Sequence, residues 1–312
     1  MAADGVDEIK AELARARASG KVHGGYLFEG PPGTGKRATA EWFARLLLCK
    51  GAPADAREPC GTCHDCALLA AGSHPDLHRV EVDGAWIKVD GVRELLRALS
   101  LVANERGRRV ALIPNAERLR VEAANALLKT LEEPPPGAVL VLVTAAAEAL
   151  PRTLRSRALR VRFRPFAEAA IAAELEAGGL SAADAALASR LGGASPDAAR
   201  AWAEASLDDA REMTAVLEQS DTLTTSEVLD FAETFRTPGE AGRARAKSYL
   251  EVHSAFARER AERAAAAGDA RALERWLRAF ESASKARGEL EQRNLNPQLL
   301  VESLLLELRS TA

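Results

Sequence analysis

A glycine-rich turn at residues 30–36 constrains the fold of this chain more than any other feature. The turn reads Gly30-Pro31-Pro32-Gly33-Thr34-Gly35-Lys36; the apolar run Tyr26-Leu27-Phe28 precedes it, and apolar residues at helical spacing follow from 38 to 48. That order predicts a strand, a loop whose backbone N–H groups turn inward around phosphate, and a helix whose N-terminus faces an anion. The turn therefore predicts the first βα unit of a nucleotide-binding sheet.

The residues that turnover needs are replaced. Arg37 stands where the motif has a Ser or Thr hydroxyl for Mg²⁺, and Asn115 and Ala116 follow a strand where an acidic pair is expected. These three losses predict that the site does not hydrolyse ATP, whether or not the loop holds a nucleotide. A competing alignment makes Glu117 the surviving carboxylate, although it lies two residues past the expected position. The candidate nucleotide-binding residues are Gly30, Gly33, Thr34, Gly35, Lys36 and Arg37.

Strands and helices alternate in the first half of the chain, which predicts a parallel α/β sheet. From Phe166 onward the strand signal disappears and only helical patterns remain, short ones to Trp202 and longer ones from Leu207. We expect an α/β domain at 1–165, a small helical domain at 166–210 and an all-helical domain at 211–312. The expected strands are 26–28, 77–82, 109–113, 139–144 and 158–163; the expected helices in this half are 7–18, 38–48, 92–102 and 122–131; the expected breaks between the later helices are 178–179, 192–193, 237–239, 268 and 294.

All four cysteines of the chain lie between positions 49 and 66. Cys49, Cys60, Cys63 and Cys66 have the spacing C-x10-C-x2-C-x2-C, which is typical of four thiolates converging on zinc. Such a site is structural, because no coordination position stays open for water. His64 lies among the cysteines, but four thiolates already complete the shell, so we expect it to face solvent.

Arginines crowd the segment 152–164, at the mouth of the last expected strand. An arginine here can project into a neighbouring subunit and stabilise charge on a transferring phosphate. The residues alone favour the alternative, a solvated basic edge. The net charge of −3 argues against a chain that coats nucleic acid by itself. The residues after Met1 lack the basic and apolar regions of a signal peptide, and we expect a cytoplasmic protein without a membrane span.

Several motifs together resemble the clamp-loader subunits of bacterial DNA polymerase III, which are members of the AAA+ class. The similarity covers residues 1 to about 210; beyond them only the helicity and the patterns at 294–297 and 299–306 agree. It rests on the loop and cysteines already named and on three further motifs: His74-Pro75-Asp76-Leu77, Asn125 to Pro135, and Ser156-Arg157.

The resemblance implies an AAA+ P-loop domain with a zinc-binding insert at 49–66, a helical lid at 166–210 and an all-α collar for oligomerisation at 211–312. Ser156 and Arg157 match a Ser-Arg-Cys motif whose arginine acts as a finger in trans, with Ala158 in place of the cysteine. The implied partners are the gamma/tau and delta subunits in a hetero-pentamer and, through the complex, a sliding clamp and primed DNA. The implied cofactors are structural Zn²⁺ and, at the loop, ATP or ADP.

The resemblance favours a non-hydrolysing stator within this family. The ATPase members, gamma and tau, also have a P-loop and four cysteines, but they keep Lys-Thr or Lys-Ser in the loop and Asp-Glu in the acidic motif. Thr144 matches the family's polar sensor, whereas 194–198 contains no sensor arginine and Arg200 is a poor substitute. An ATP-hydrolysing motor subunit and an inert ring scaffold are the alternatives.

Overall fold

A computed structural model describes residues 4–80, 86–100, 107–193, 195–205, 207–237, 239–292 and 295–310. Its strands form a five-stranded parallel sheet in the order β2-β3-β4-β1-β5. Because the sheet is parallel, the carboxyl ends of all described strands meet at one edge, and the loop after β1 opens there. The strands are β1 Gly25–Glu29, β2 Leu77–Arg79, β3 Arg109–Ile113, β4 Ala138–Thr144 and β5 Leu159–Arg162.

Helices cover both faces of this sheet, and the alternation of apolar residues along β1 explains why. Tyr26 and Phe28 pack with α1 and α2 residues such as Phe43 on one face, and Leu27 packs with α4 and α5 residues on the other. The helices of this part are α1 Asp4–Ala18, α2 Lys36–Leu48, α3 His64–Ala70, α4 Val89–Ser100, α5 Val121–Glu132 and α6 Arg152–Arg155, with short 3-10 turns at Ala116–Arg118 and Ala147–Ala149.

Only helices follow β5 in the described part of the chain. They share one apolar cluster that includes Leu187 of α8, Tyr249 of α12 and Leu305 of α14, together with Phe235 between α11 and α12. These helices are α7 Glu168–Ala177, α8 Ala182–Gly192, α9 Pro196–Glu204, α10 Leu207–Glu218, α11 Thr225–Glu233, α12 Glu240–Ala267, α13 Ala270–Gln292 and α14 Pro297–Ser310. None of the described helices combines the length and the apolar character that crossing a bilayer requires.

The described residues divide into two compact units. One unit contains Met1–Ala170 and Ala194–Pro196, and the other contains Ile171–Gly193 and Asp197–Ala312. The short return at 194–196 places Ser195 in the same unit as the glycine-rich loop.

The predicted fold class is confirmed: a parallel sheet with flanking helices is followed by an all-helical region. The predictions missed α3, which begins directly after Cys63 and contains Cys66, and the break at 219–224 between α10 and α11. Strand β2 ends at Arg79, earlier than the expected 82. Val82, Val102, Ala194 and Asn294, which end or mark predicted elements, lie outside the described residues.

Candidate functional site

The glycine-rich loop folds as a cradle at the carboxyl edge of the sheet. Gly30, Gly33 and Gly35 all have positive φ, at 151°, 74° and 78°. Ser195 lies directly against Gly33, because a Cβ placed on Gly33 would come within 2.1 Å of the Ser195 Cβ. Only glycine fits this position, for reasons of both conformation and space.

Lys36 is folded into its own loop. Its Nζ donates to the Pro31 carbonyl and, at 3.2 Å, to the Thr34 hydroxyl, and the side chain is buried. Burial lowers the Lys36 pKa, and the negative charge of Glu117 partly offsets that effect. Thr34 is buried, and its hydroxyl donates to the same carbonyl at 2.9 Å. The Pro31 carbonyl oxygen therefore accepts hydrogen bonds from both the Lys36 ammonium and the Thr34 hydroxyl. Arg37 is exposed on the first turn of α2.

The residues after β3 leave one carboxylate near the loop. Asn115 is exposed in a left-handed conformation with φ 55°, and Ala116 is fully buried in the apolar cluster beneath α5. The 3-10 turn that follows returns Glu117 toward the sheet, where its Oε2 accepts from the Ala145 N–H at 3.4 Å. Glu117, which the spacing made the lesser alternative, is the carboxylate whose charge opposes the effect of burial on the Lys36 pKa.

Thr144 ends β4 at the same edge, and it is almost completely buried. Its hydroxyl accepts from the Ala146 N–H at 3.1 Å, and its backbone lies in register with Glu29. The predicted sensor position is thus beside the end of β1. Arg200, by contrast, is engaged with Glu174 at 2.5 Å and with Asp197 at 2.8 Å.

Sequence reasoning missed Glu29, the last residue of β1. Its carboxylate is 6% exposed and accepts from Arg160 through both oxygens at 2.9–3.1 Å and from Arg162 at 3.0 Å. Both arginines belong to the stretch that the sequence presented as a basic edge. The sequence did contain a signal, because an acidic residue ends a buried strand and two arginines stand two positions apart on another strand. Their pairing could not be predicted, since it depends on the order of the strands in the sheet.

The four cysteines form one cluster on an insert between α2 and β2. Their sulfur atoms all lie within 4.8 Å of one another, and four of the Sγ–Sγ separations are 3.5, 3.6, 3.9 and 3.9 Å. Four sulfurs about 2.3 Å from one zinc ion stand about 3.8 Å apart in a tetrahedron. Cys49, Cys60, Cys63 and Cys66 can therefore hold a metal ion such as zinc. His64 is exposed and outside the cluster.

Backbone N–H donors favour the thiolate form of some of these cysteines. The N–H groups of Cys60, Cys63 and Cys66 each donate to the sulfur of a preceding cysteine at 3.3–3.4 Å. Backbone N–H donors, from Thr62 first and then Cys63, lower the Cys60 pKa to about 6, whereas burial raises that of Cys66 to about 12. Gly51 fits against the cluster because a Cβ there would lie 2.8 Å from the Cys60 sulfur.

Arg17 at the end of α1 holds the insert in place. One guanidinium nitrogen donates to the carbonyls of Pro53 at 2.7 Å and Ala54 at 3.0 Å, and the other donates to Ala52 at 3.2 Å and Cys49 at 3.4 Å. On the other side of the cluster, the buried Asp65 carboxylate lies 3.4 Å from His74. These contacts orient the loop that supplies the first cysteine, as outer contacts do around metal ligands.

Ser156 and Arg157 follow α6, next to the end of α5. Ser156 donates its hydroxyl to the Thr153 carbonyl at 3.1 Å. The Arg157 Nε lies 2.5 Å from Glu132 Oε1, and its Nη1 donates to the same Thr153 carbonyl at 2.8 Å. The neighbouring Arg155 pairs with Glu148 at 2.6 Å. With the two arginines at Glu29, four arginines of the predicted basic edge have carboxylate partners.

Comparison with known proteins assigns the chain to a family. Residues 5–167, more than half of the chain, match the family described as DNA polymerase III, delta subunit. The chain belongs to this family. It is 47% identical over 137 residues to DNA polymerase III subunit delta' of Pseudomonas aeruginosa, covering 43% of this chain and 41% of that protein. It is 38% identical over 146 residues to the delta' subunit of Bacillus subtilis, covering 47% and 44%.

The tau subunit of Bacillus subtilis is also similar, with 36% identity over 168 residues, which cover 54% of this chain and 29% of that protein. The chain spans less than half the length of the three relatives it matches. The resemblance to subunits of bacterial DNA polymerase III, which the motifs indicated, is confirmed by the family match and by the delta' relatives.

Proposed function

We propose that this chain is a stator subunit of the DNA polymerase III clamp loader, a subunit that does not turn over ATP itself. In this proposal it assembles with gamma/tau and delta subunits into a hetero-pentamer that places a sliding clamp on primed DNA. Family membership and the similarity to proteins named delta', gamma and tau support these partners.

The observation that carries the proposal is the buried alanine at 116. A Mg²⁺-dependent P-loop site needs a carboxylate at the end of a strand on the same edge of the sheet as the loop. Ala116 is 0% exposed within an apolar cluster, so its position supplies a methyl group where an active site needs a charge. The exposed Arg37 likewise provides no hydroxyl on the first turn of α2.

One observation favours the alternative, an ATP-hydrolysing subunit of the gamma/tau type. The negative charge of Glu117 partly offsets the lowering of the Lys36 pKa by burial. In that alternative Glu117 serves the metal or the attacking water, and Lys36 holds the phosphates. Against it, Glu117 accepts a hydrogen bond from Ala145, and the hydroxyl ligand remains missing.

Arg157 is the residue that we propose acts on a neighbour. Three features support this role: it belongs to the Ser-Arg motif, its side chain is one-third exposed, and its position is fixed by two hydrogen bonds. An arginine finger supplied in trans stabilises the charge that develops on the transferring phosphate. Ser156 would support the turn that presents it.

We further propose that the four cysteines bind zinc, which would supply a structural crosslink between the end of α2 and α3. The helices at 166–210 are proposed to form the lid and those at 211–312 the collar through which the ring assembles. These last assignments rest on the family resemblance.

The test is ATP hydrolysis by the purified chain with Mg²⁺, with and without primed DNA, alongside nucleotide binding by titration. We expect no turnover by the wild type, whether or not ATP or ADP binds to residues 30–37. Turnover that Lys36→Ala or Glu117→Gln abolishes would instead establish the motor subunit. In the reconstituted complex, Arg157→Ala should leave assembly intact and lower ATPase activity, whereas an unchanged rate would leave only the inert scaffold.

A further inference from the structure

The pair formed by Glu132 and Arg157 joins two motifs that the sequence keeps apart. Glu132 is the last residue of α5, and Arg157 follows α6 by two positions. Both backbones are anchored, because Leu131 next to Glu132 and Ala158 next to Arg157 are buried in one apolar cluster. The core therefore holds the two backbones close together.

The geometry of the pair leaves a defined edge of the guanidinium open. A guanidinium has five N–H donors in a planar fork. Arg157 uses the Nε–H for Glu132 and one Nη1–H for the Thr153 carbonyl. Among the described residues the Arg157 guanidinium has no other partner, so one Nη1–H and both Nη2–H donors remain. The Nη1–Nη2 edge of a guanidinium can bind two oxygens of one phosphate.

The pair is also weak enough to adjust. The Arg157 and Glu132 side chains are 34% and 48% exposed, and ion pairs at such exposure contribute little to stability. Glu132 therefore restricts the direction of Arg157 without burying its charge. The next residue, Glu133, is also exposed, and in the described part of the chain its side chain makes no hydrogen bond or ion pair.

We propose that Glu132 is a positioning residue for Arg157: it holds Nε so that the Nη1–Nη2 edge faces outward toward an anionic phosphoryl group on a neighbouring subunit. This inference rests on the proposed function, since it requires that Arg157 acts in trans. It adds a role for the acidic end of α5, which belongs to the motif Asn125 to Pro135.

The experiment uses the reconstituted complex with wild-type chain, Glu132→Ala, Glu132→Gln, Arg157→Ala and the double variant Glu132→Ala/Arg157→Ala. Glu133→Ala is the matched control, because it removes the same charge one residue away. Glu132→Ala should lower kcat about tenfold, since a misplaced catalytic group loses rate steeply, and leave KM for ATP unchanged. Glu132→Gln should retain most activity because its amide oxygen can still accept from Nε–H. The double variant should match Arg157→Ala, since the effect runs through that arginine.

A second readout is independent of ATPase activity. The arginine Nε–H resonance that Arg157→Ala removes from the spectrum of the chain should shift in Glu132→Ala and stay in place in Glu133→Ala. If this resonance does not respond to Glu132→Ala, the pair is absent in solution and the inference is wrong.

The two levels of the proposal fail differently. Reduced ATPase in Arg157→Ala with normal ATPase in Glu132→Ala overturns the positioning role and leaves the stator function standing. Normal ATPase activity in Arg157→Ala would rule out both the role of Arg157 as a finger and the positioning role of Glu132, even if the spectrum shows that the pair forms. Faster ATPase in Glu132→Ala would make Glu132 a restraint on the finger and contradict the proposal.

Discussion

Replacing Arg17 by alanine should loosen the cysteine insert and speed the loss of its metal. The side chain donates to four carbonyls of the segment 49–54, two through exposed and two through partly buried contacts. Well-formed hydrogen bonds from charged groups contribute about 1.5–3 kcal/mol each. Two of these are long, at 3.2 and 3.4 Å, and two are solvated, so about 0.5 kcal/mol each is the appropriate scale. The total is about 2 kcal/mol, or roughly a thirtyfold change in the opening equilibrium of the insert.

The assay is zinc release from the loaded chain into excess chelator carrying a chromogenic indicator. If release proceeds through opening of the insert, Arg17→Ala should release zinc up to about thirtyfold faster than wild type. Arg15→Ala is the control, because Arg15 lies on the same helix and its Nε donates only to the Ala11 carbonyl of that helix. The Arg17→Lys variant should release zinc at a rate between those of the Arg17→Ala and Arg15→Ala variants, since one ammonium group cannot reach four carbonyls. Equal release rates for the Arg17→Ala and Arg15→Ala variants would refute the coupling between α1 and the insert.

Two further predictions concern buried ionisable groups. Glu29→Gln should lower the free energy of unfolding, measured by urea denaturation, by well under the about 3–5 kcal/mol typical of a broken buried pair, because the partly exposed Arg160 and Arg162 can return to water. A loss of about 3–5 kcal/mol would show that they cannot. Burial lowers the His253 pKa to about 4, against about 6.5 when unfolded. The unfolded chain therefore takes up the proton first, so about 3 kcal/mol of stability present above pH 6.5 is lost as pH falls toward 4. Arg275, Arg278 and Glu307 also line the adjacent cavity, so His253→Leu is needed to separate the histidine from these charges. This variant should flatten the pH dependence of the free energy of unfolding. An equal pH dependence in wild type and variant would show that His253 is not responsible.

Sequence patterns identified most elements because the signals are local. Strand β3 was predicted with its observed bounds, since its apolar run ends at Pro114, and α2 was placed by the loop before it. The break at 219–224 was missed because it contains neither glycine nor proline. Helix α3 was missed because the cysteine spacing, rather than helical periodicity, dominated that segment.

The sequence by itself determined what contiguous or evenly spaced residues can specify: the phosphate-type cradle, the cysteine quartet and the alternation of strands and helices. Only the tertiary structure decided which charges meet. Glu29 joins Arg160 because β1 and β5 are neighbours in the sheet, and Glu132 joins Arg157 because α5 and α6 share a buried core. Such pairs depend on the path of the chain between distant residues, and exposed charges contribute too little energy to leave a pattern from which that path can be predicted.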